Sequence, residues 1–557
     1  MIWEKRNAAS TVAEAVSMNS GLTLSELLNP SAVDPSSIAG LSDAAKEIQN
    51  AVDENVPITI VGDYDCDGIT ATAILTSLCG YLGASVSSVL PRRITEGYGI
   101  SLKTLDRCKM GLLVTVDNGI AAVDTIAEAV KRGYRVVVID HHLPGTELPL
   151  ANAIVDPHVD PDNNGFVDYC GAGLALKLCE MMTNSKFFLD KMTAFAAIGT
   201  IADVMPLIGD NRRIVKEGLK LLNDKKRISC GLRSLLRTAG LVKITETDIG
   251  FKIGPMLNAP GRMFDDGAER ALRTILAEDY KLADKYAAEL NEINEKRKET
   301  AASALILAHK YIEDNCLYGT APFCIYIPGI PEGVVGIVTG KIAEEFKTPA
   351  FVFTDSLEPG QFKGSGRSYG KVNLKEVVDA AKDALVKYGG HAGAAGLSVK
   401  EEDFDRMTML MTEYLTGYIP EDTEVIKYDL EITSDKLAST YAEVQKYAPY
   451  GEGNPAPVFK ITHVVLCPRA NACYKTMGKE NEHIKLFGNN YSIVCFGKAE
   501  DYAKLGKPKA IDVIGTVSEN TFGFQSELQV EAMDFVPSAI SIKKTGLRTL
   551  LEETKPL

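Results

Sequence analysis

The sequence predicts an α/β protein: a parallel-sheet domain, a long connecting helix, a second α/β domain and a C-terminal OB-like β-barrel. Three observations predict it. Between about residues 56 and 215 short β-rich runs alternate with helix-like stretches, residues 280 to 314 carry one long amphipathic pattern, and from about residue 455 short alternating runs take over.

The first body contains the runs Ile58–Val61, Leu112–Val116, Tyr134–Ile139 and Ala153–Val155. Three of them end in polar clusters, at Gly62-Asp63, Asp117-Asn118-Gly119 and Asp140-His141-His142. Functional groups of open α/β sheets gather at such strand ends. Leu282, Tyr286, Leu290 and Ile293, with charges between them, mark a helix that joins two bodies. The second α/β region, about 320 to 418, has apolar runs at Phe323–Ile327 and Ala350–Phe353, and glycines from Gly389 to Gly396 that suggest backbone held close to a ligand. Val458–Thr462, His483–Phe487, Ser492–Phe496 and Ala510–Gly515 make the β-module. The expected division is 1–50 lead-in, 51–215 catalytic, 216–315 helical connector, 316–418 second α/β, 419–540 OB-like and 541–557 tail.

A chain of 557 residues is too long for one core, and 45% apolar with 24% charged residues is an ordinary globular balance. Runs such as Thr193–Ala202 break at a charge well short of the roughly 20 residues that span a membrane, so no membrane partner is expected. The N-terminus lacks the pattern of a secretory signal, which makes the cytoplasm the expected address. Eleven cysteines without a C-x-x-C pair read as reduced thiols. The net charge of −14 repels phosphates, so a polyanionic substrate needs a locally basic groove and cations. Residues 455–540 hold nine Lys plus Arg against nine Asp plus Glu, so the β-module is neutral and the acidity lies elsewhere.

Asp63, Asp65 and Asp67 occupy every second position after a strand, and alternate side chains on extended backbone point the same way. Three such carboxylates repel one another unless cations neutralise them. An acidic turn explains this cluster equally well by itself. Asp117, the Asp140-His141-His142 run and Asp203 in the apolar stretch Ile198–Pro206 add three more clusters, although a helix cap also accounts for Asp203. Together they point to a centre of oxygens and imidazoles, which favours Mn²⁺ or Mg²⁺ over structural zinc. Two such ions would activate water against a phosphoester or phosphoanhydride.

Gly-Asp63-Tyr-Asp65-Cys-Asp67-Gly-Ile-Thr, Val-Asp117-Asn-Gly and Asp140-His141-His142 resemble the ordered motifs of the DHH phosphoesterase superfamily. Pro91-Arg-Arg93, Glu96-Gly-Tyr98-Gly99, Asn258-Ala-Pro-Gly-Arg262, Gly364-Ser365-Gly-Arg367-Ser368, Gly389 to Gly396 and Pro449 to Pro455 resemble its RecJ-like single-stranded-DNA exonuclease branch. That resemblance implies a two-ion, 5'-to-3' exonuclease that releases mononucleotides, with a groove between two α/β domains and an OB-fold that feeds the strand. It implies Asp65, Asp67, Asp117, His141 and Asp203 as metal ligands, Asp63 and Asp140 as acidic support, and His142 as an orienting or phosphate-contacting group. Arg93, Tyr98, Asn258, Arg262, Ser365, Arg367, Gly390 and His391 are then the substrate-binding residues. Guanidinium forks suit phosphate oxygens in a way lysine cannot copy. Phe459, Tyr474, Phe487, Phe496 and Phe522 are candidate base-stacking residues, or simply core. Single-stranded DNA is the expected partner, with a single-strand-binding protein or helicase beside it, and nothing demands more than a monomer.

Two other functions compete. A DHH phosphodiesterase for short oligonucleotides or cyclic dinucleotides would need only the two α/β domains, so the β-module and the Pro449 to Pro455 motif speak for the nuclease. An inactive DNA-binding scaffold would lose its metal carboxylates, which are present here.

Overall fold

The computed structural model describes residues 2–161, 165–418, 425–469, 472–478, 480–522 and 525–538. The expected tail, 541–557, lies outside the described residues. Among the described residues, no helix is long and apolar enough to cross a membrane.

The N-terminal segment divides between two bodies. Strand β1 (Ile2–Lys5) pairs in parallel with β12 (Val425–Tyr428), and helix α1 (Val12–Ser20) puts Val12, Ala15 and Val16 into the C-terminal core. Helix α2 (Leu41–Asp53) instead puts Leu41, Ala44 and Ile48 into the core of the first sheet.

That sheet contains β2 (Ile58–Val61), β3 (Val86–Val89), β4 (Leu112–Val116), β5 (Arg135–Ile139) and β6 (Ala153–Val155), in the order β3-β2-β4-β5-β6, all parallel. Strands β2 and β4 are buried at every position, which is why they read as continuous apolar runs rather than alternating ones. The chain leaves β2 toward β3 on one side and returns to β4 on the other. The C-terminal ends of β2 and β4 therefore flank a topological switch point, where the crevice of such sheets opens. Helix α3 (Cys66–Tyr81), after β2, packs against α4 (Gly171–Met182) and α5 (Lys186–Ala202); its first ten residues, Cys66 to Leu75, are all buried.

Helix α6 (Gly209–Asn223) carries Arg212, which is fully buried. Its guanidinium has carbonyls as partners: Nε donates to Leu27 (2.8 Å), Nη1 to Pro449 (3.0 Å) and Nη2 to Tyr447 (2.7 Å) and Ala448 (3.2 Å). A buried cation is tolerated when its donors are satisfied. Here the donors tie the catalytic body to the Pro449 to Pro455 motif, whose Glu452 carbonyl also accepts the Leu207 N–H at 2.7 Å.

Helix α7 (Gly254–Met263) and the 35-residue α8 (Tyr280–Asp314) lead to the second sheet. It comprises β7 (Phe323–Tyr326), β8 (Ala350–Asp355), β9 (Gln361–Arg367), β10 (Leu385–Gly390) and β11 (Ala394–Lys400), with α9 (Glu332–Phe346) packed on it. Only β7 and β8 are parallel, so the glycine-rich stretch from Gly389 is the turn of an antiparallel hairpin.

The last module has β13 (Leu430–Thr433), β14 (Phe459–Val465), β15 (Tyr474–Met477), β16 (His483–Phe487), β17 (Tyr491–Cys495), β18 (Ala510–Phe522) and β19 (Gln525–Pro537), in the order β13-β14-β18-β19-β17-β16-β15. The module is OB-like, but among the described residues β13 and β15 are not paired with each other, so the expected barrel is not closed. Phe459 is fully buried in this core and cannot stack a base. Phe487 lies under the Arg469 guanidinium at 5.0 Å and Tyr474 packs edge-on against Tyr502, whereas Phe496 is 64% exposed. The Phe522 side chain lies outside the described residues.

Candidate metal centre

The centre is assembled where β2, β4 and β5 end. The extended-strand picture of Asp63, Asp65 and Asp67 requires correction: the backbone turns into α3 within the cluster. Asp65 is the N-cap of α3, accepting the Gly68 N–H at 3.0 Å, and Asp67 lies in the first helical turn. Capping is favourable because the first N–H groups of a helix lack partners. Gly68 is needed because a Cβ there would stand 2.6 Å from the Asp63 backbone nitrogen.

Asp67 is held by a feature the sequence reading missed. One of its oxygens accepts the Gly171 N–H at 2.7 Å and the other the Ala172 N–H at 3.0 Å, both at the N-terminus of α4. Cβ atoms on Gly171 and Gly199 would meet Asp67 Oδ2 at 3.0 Å and Oδ1 at 2.6 Å. The signal in the sequence was the Gly171-Ala172-Gly173 run beside a helix start.

Asp117 adopts φ 61°, a left-handed conformation that a non-glycine residue rarely takes without a reason in its surroundings. His141 Nε2 stands 3.0 Å from Asp117 Oδ1, 3.7 Å from Asp203 Oδ2 and 3.9 Å from Asp67 Oδ2. Asp203 follows the last residue of α5, where the helix dipole disfavours a negative charge. Three groups offer ligand atoms within 4.8 Å of one another: Asp67, His141 and Asp203; Asp63, Asp65 and Asp117; and Asp117, His141 and His142. The shared residues Asp117 and His141 join them into one centre.

Burial pushes the carboxyl groups of Asp63, Asp65 and Asp117 up, and neighbouring aspartates add to it: Asp65 for the first, Asp67 for the other two. Asp203 is pushed to about 8 by burial and then by Asp67 and Asp65. Burial pulls the His141 imidazole down, which keeps it neutral as a ligand must be. A divalent cation supplies the positive charge this arrangement lacks, and its oxygen and imidazole donors suit Mn²⁺ or Mg²⁺.

Asp140 has a different task. Its oxygens accept the Ile120 N–H (2.9 Å), the His141 N–H (2.8 Å) and His142 Nδ1 (2.8 Å). Burial opposes the Asp140 charge, but these bonds hold its carboxyl below its ordinary value. Burial likewise opposes the His142 imidazolium, yet the Asp140 bond and charge raise it to about 9. The Tyr98 hydroxyl donates to the Asp117 carbonyl at 3.2 Å and lies 3.1 Å from His142 Nε2.

Arg93, Arg262, Ser365 and Arg367 line one cleft of about 820 Å³ between the two α/β bodies, with Lys103, Lys363 and Lys387 on its wall and Glu332 and Glu358 as its acids. This is the local basic groove that the acidic chain requires. Arg262 is lowered to about 10 by burial and by the charges of Arg93 and Arg297. Arg297, on α8, was not singled out from the sequence, because a charged residue of an amphipathic helix reads as solvated. Its Nε and the Asn258 Oδ1 are buried without partners. Gly390 and His391 lie in the exposed hairpin turn beside Gly389 and are not among the residues lining this cleft.

An acid-and-imidazole centre at the switch point of a parallel sheet, facing a second α/β body across a basic cleft, defines a protein of the DHH architecture. Residues 57–200 match the DHH family N-terminal domain, 320–417 the DHHA1 domain and 428–534 the RecJ OB domain. The chain is 32% identical to the single-stranded-DNA-specific exonuclease RecJ of Haemophilus influenzae, covering 83% of each protein. It is 32% identical to RecJ of Bacillus subtilis over 90% of this chain, and spans 64% of that relative's length. The crystal structure of RecJ in complex with Mn²⁺ from Thermus thermophilus superposes with a TM-score of 0.77 at 30% identity, over 95% of this chain and 76% of that one. The chain belongs to the RecJ family of single-stranded-DNA-specific exonucleases.

Proposed function

We propose that this protein hydrolyses single-stranded DNA from its 5' end to mononucleotides, using two Mn²⁺ or Mg²⁺ ions. The observation that carries the reading is the basic cleft of Arg93, Arg262 and Arg367 beside a set of buried carboxylates that raise one another's pKa and that the neighbouring cations do not offset. Family membership supports the same substrate class.

In this reading Asp67, Asp117, His141 and Asp203 hold one ion, and Asp65, with Asp63 and Asp117, holds the other. When bound, the ions supply an activated water and stabilise the leaving oxygen of an in-line displacement. Asp140 fixes the His142 ring, whose imidazolium faces the phosphate as a cation at neutral pH. Arg93, Arg262, Ser365 and Arg367 grip the terminal nucleotide and its phosphates, and Asn258 and Arg297 offer unpaired polar atoms to the same end. Tyr98 supports His142. Gly390 and His391, in the exposed turn of the hairpin, would contact the strand beyond the cleft.

By this division residues 51–215 carry the chemistry, 316–418 clamp the end, 216–315 space the two and 419–540 feed the strand. All candidate ligands come from one chain, which supports action as a monomer; a single-strand-binding protein or helicase would present the substrate. A DNA substrate and eleven free cysteines support a cytoplasmic address.

The test is digestion of 5'-labelled and 3'-labelled single strands with and without chelator. Early release of the 5' label as a mononucleotide, abolished by chelator, is expected. Early release of the 3' label, or turnover in excess chelator, would refute the reading.

A further inference from the structure

The cleft between the two α/β bodies holds more positive charge than one terminal phosphate needs. Six cations and two carboxylates line it, an excess of four positive charges. A terminal monophosphate carries about two negative ones.

Strand pairing shows where the surplus stands. In β9, Lys363, Ser365 and Arg367 alternate onto one face, and β11 places Ser398 beside Lys363, Gly396 beside Ser365 and Ala394 beside Arg367. In β10, Lys387 stands beside Ser398 and Gly389 beside Gly396. Paired residues of an antiparallel sheet share a face, so the floor of the cleft is made of rows that cross the strands. The row of Ser365, Gly396 and Gly389 adjoins Arg367. The row of Lys363, Ser398 and Lys387 lies beyond it, two residues or about 7 Å further along the strands.

The middle row is bare for a reason that the fold does not supply. Gly390 must be glycine, because its φ is 150° and a Cβ there would stand 2.3 Å from the Ala394 carbonyl oxygen. Gly389 and Gly396 have no such need: neither has a positive φ, and a Cβ on either would meet nothing within 4 Å. Both are exposed to the cleft. What the two glycines keep open is the space over the sheet between Arg367 and the lysine row, where a ligand can lie against the backbone. In that outer row Lys363 is paired with Glu332, whereas Lys387 is exposed and has no ion-pair partner among the described residues.

We propose that the cleft admits strands whose 5' end carries a triphosphate, an inference that rests on the 5'-end reading given above. The first phosphate lies among Arg93, Ser365 and Arg367, and the two outer phosphates cross the strip of Gly389 and Gly396 to reach Lys387 and Ser398. Hydrolysis is the same in-line displacement. The oxygen of water bonds to the phosphorus that links the first two nucleotides, the bond from that phosphorus to the 3' oxygen of the first nucleotide breaks, and the 3' oxygen takes a proton. The products are a nucleoside triphosphate and a strand with a 5'-monophosphate, so the outer phosphates need no prior removal.

The experiment compares oligothymidylates that differ only at the 5' end, triphosphate or monophosphate, cut by the full-length protein in Mn²⁺ with the first product identified by chromatography. The triphosphate strand should release thymidine triphosphate, with a KM no higher than that of the monophosphate strand. Lys387→Glu and Gly389→Val should each raise KM for the triphosphate strand at least about fivefold relative to the monophosphate strand, the first by repulsion and the second by filling the strip. Both variants should melt at the wild-type temperature, since Lys387 is exposed and a Cβ at Gly389 finds open space. Failure to cut either strand sinks the 5'-end reading and the proposal with it. Cleavage of the monophosphate strand alone, thymidine monophosphate as the first product from the triphosphate strand, or a KM ratio that neither variant alters overturns the proposal by itself. Protection of the monophosphate strand by an equal concentration of free thymidine triphosphate also overturns it, because the outer row would then serve a free nucleotide.

Discussion

His141 Nε2 and Asp117 Oδ1 are 3.0 Å apart although they end different strands, β5 and β4. The neighbouring β2 brings Asp63 and, through α3, Asp65 and Asp67 to the same point. Both residues belong to more than one of the candidate ligand groups, and Asp117, with its two oxygens, is the one that can serve both ions.

Loss of Asp117 should therefore weaken both ion positions, and loss of His141 should remove a ligand from one. Asp117→Asn and His141→Ala are each expected to lower nuclease turnover by more than about a hundredfold, beyond what supporting residues of metal sites cost. Calorimetric titration with Mn²⁺ should show fewer or weaker sites in both variants. Wild-type Mn²⁺ binding in either would contradict the assignment.

The metal-free protein should lose stability as pH rises. Asp203, raised to about 8, keeps a proton in the folded state that the unfolded chain releases near about pH 4. Its favourable contribution is full below the unfolded value and is lost as pH rises through about 8. His142, raised to about 9, acts in the same direction, since its stabilisation is complete below about pH 6.5 and lost through 9. Melting in chelator should thus occur at lower temperature near pH 9 than near pH 6, Mg²⁺ should restore more at the higher pH, and Asp203→Asn should shrink the difference.

A single added methyl should disturb the centre from behind. A Cβ on Gly199 would stand 2.6 Å from Asp67 Oδ1, 2.6 Å from the Ala172 Cβ and 2.7 Å from Thr70 Oγ1. Gly199→Ala is expected to cost about 1–3 kcal/mol in urea unfolding and to weaken Mn²⁺ binding by displacing Asp67. A variant with wild-type metal affinity would mean that Asp67 is not held in place by this packing.

Arg367 tests the cleft separately from the metal. Its Nη1 donates to Ser365 Oγ at 3.0 Å and to the Gly366 carbonyl at 2.8 Å, which fixes the plane of the fork. Arg367→Lys keeps the charge and loses the fork, so KM for a single strand should rise about tenfold with Mn²⁺ affinity unchanged. An unaltered KM would remove Arg367 from substrate binding.

The periodic elements were legible because each depends on local pattern. Ile58–Val61, Leu112–Val116 and Ala153–Val155 are strands at the positions their apolar runs indicate, and the 280–314 pattern is one helix. Asp63, Asp65 and Asp67 were misread as side chains on one face of a strand, because alternation alone does not register that Asp65 caps a helix. Phe459, which the sequence left open between base stacking and core, is core, since a small β-module buries aromatic rings as readily as it presents them.

The sequence by itself determined which residue types could form a metal centre and which segments were strands and helices, since those follow from chemistry and short-range periodicity. Tertiary structure alone decided that Gly171 and Ala172 hold Asp67, that Arg297 faces Arg262, and that Arg212 joins the catalytic body to the OB-like module. The physical reason is one of distance along the chain: these contacts join residues 35 to 237 positions apart, and no periodicity in the sequence carries information across such a gap.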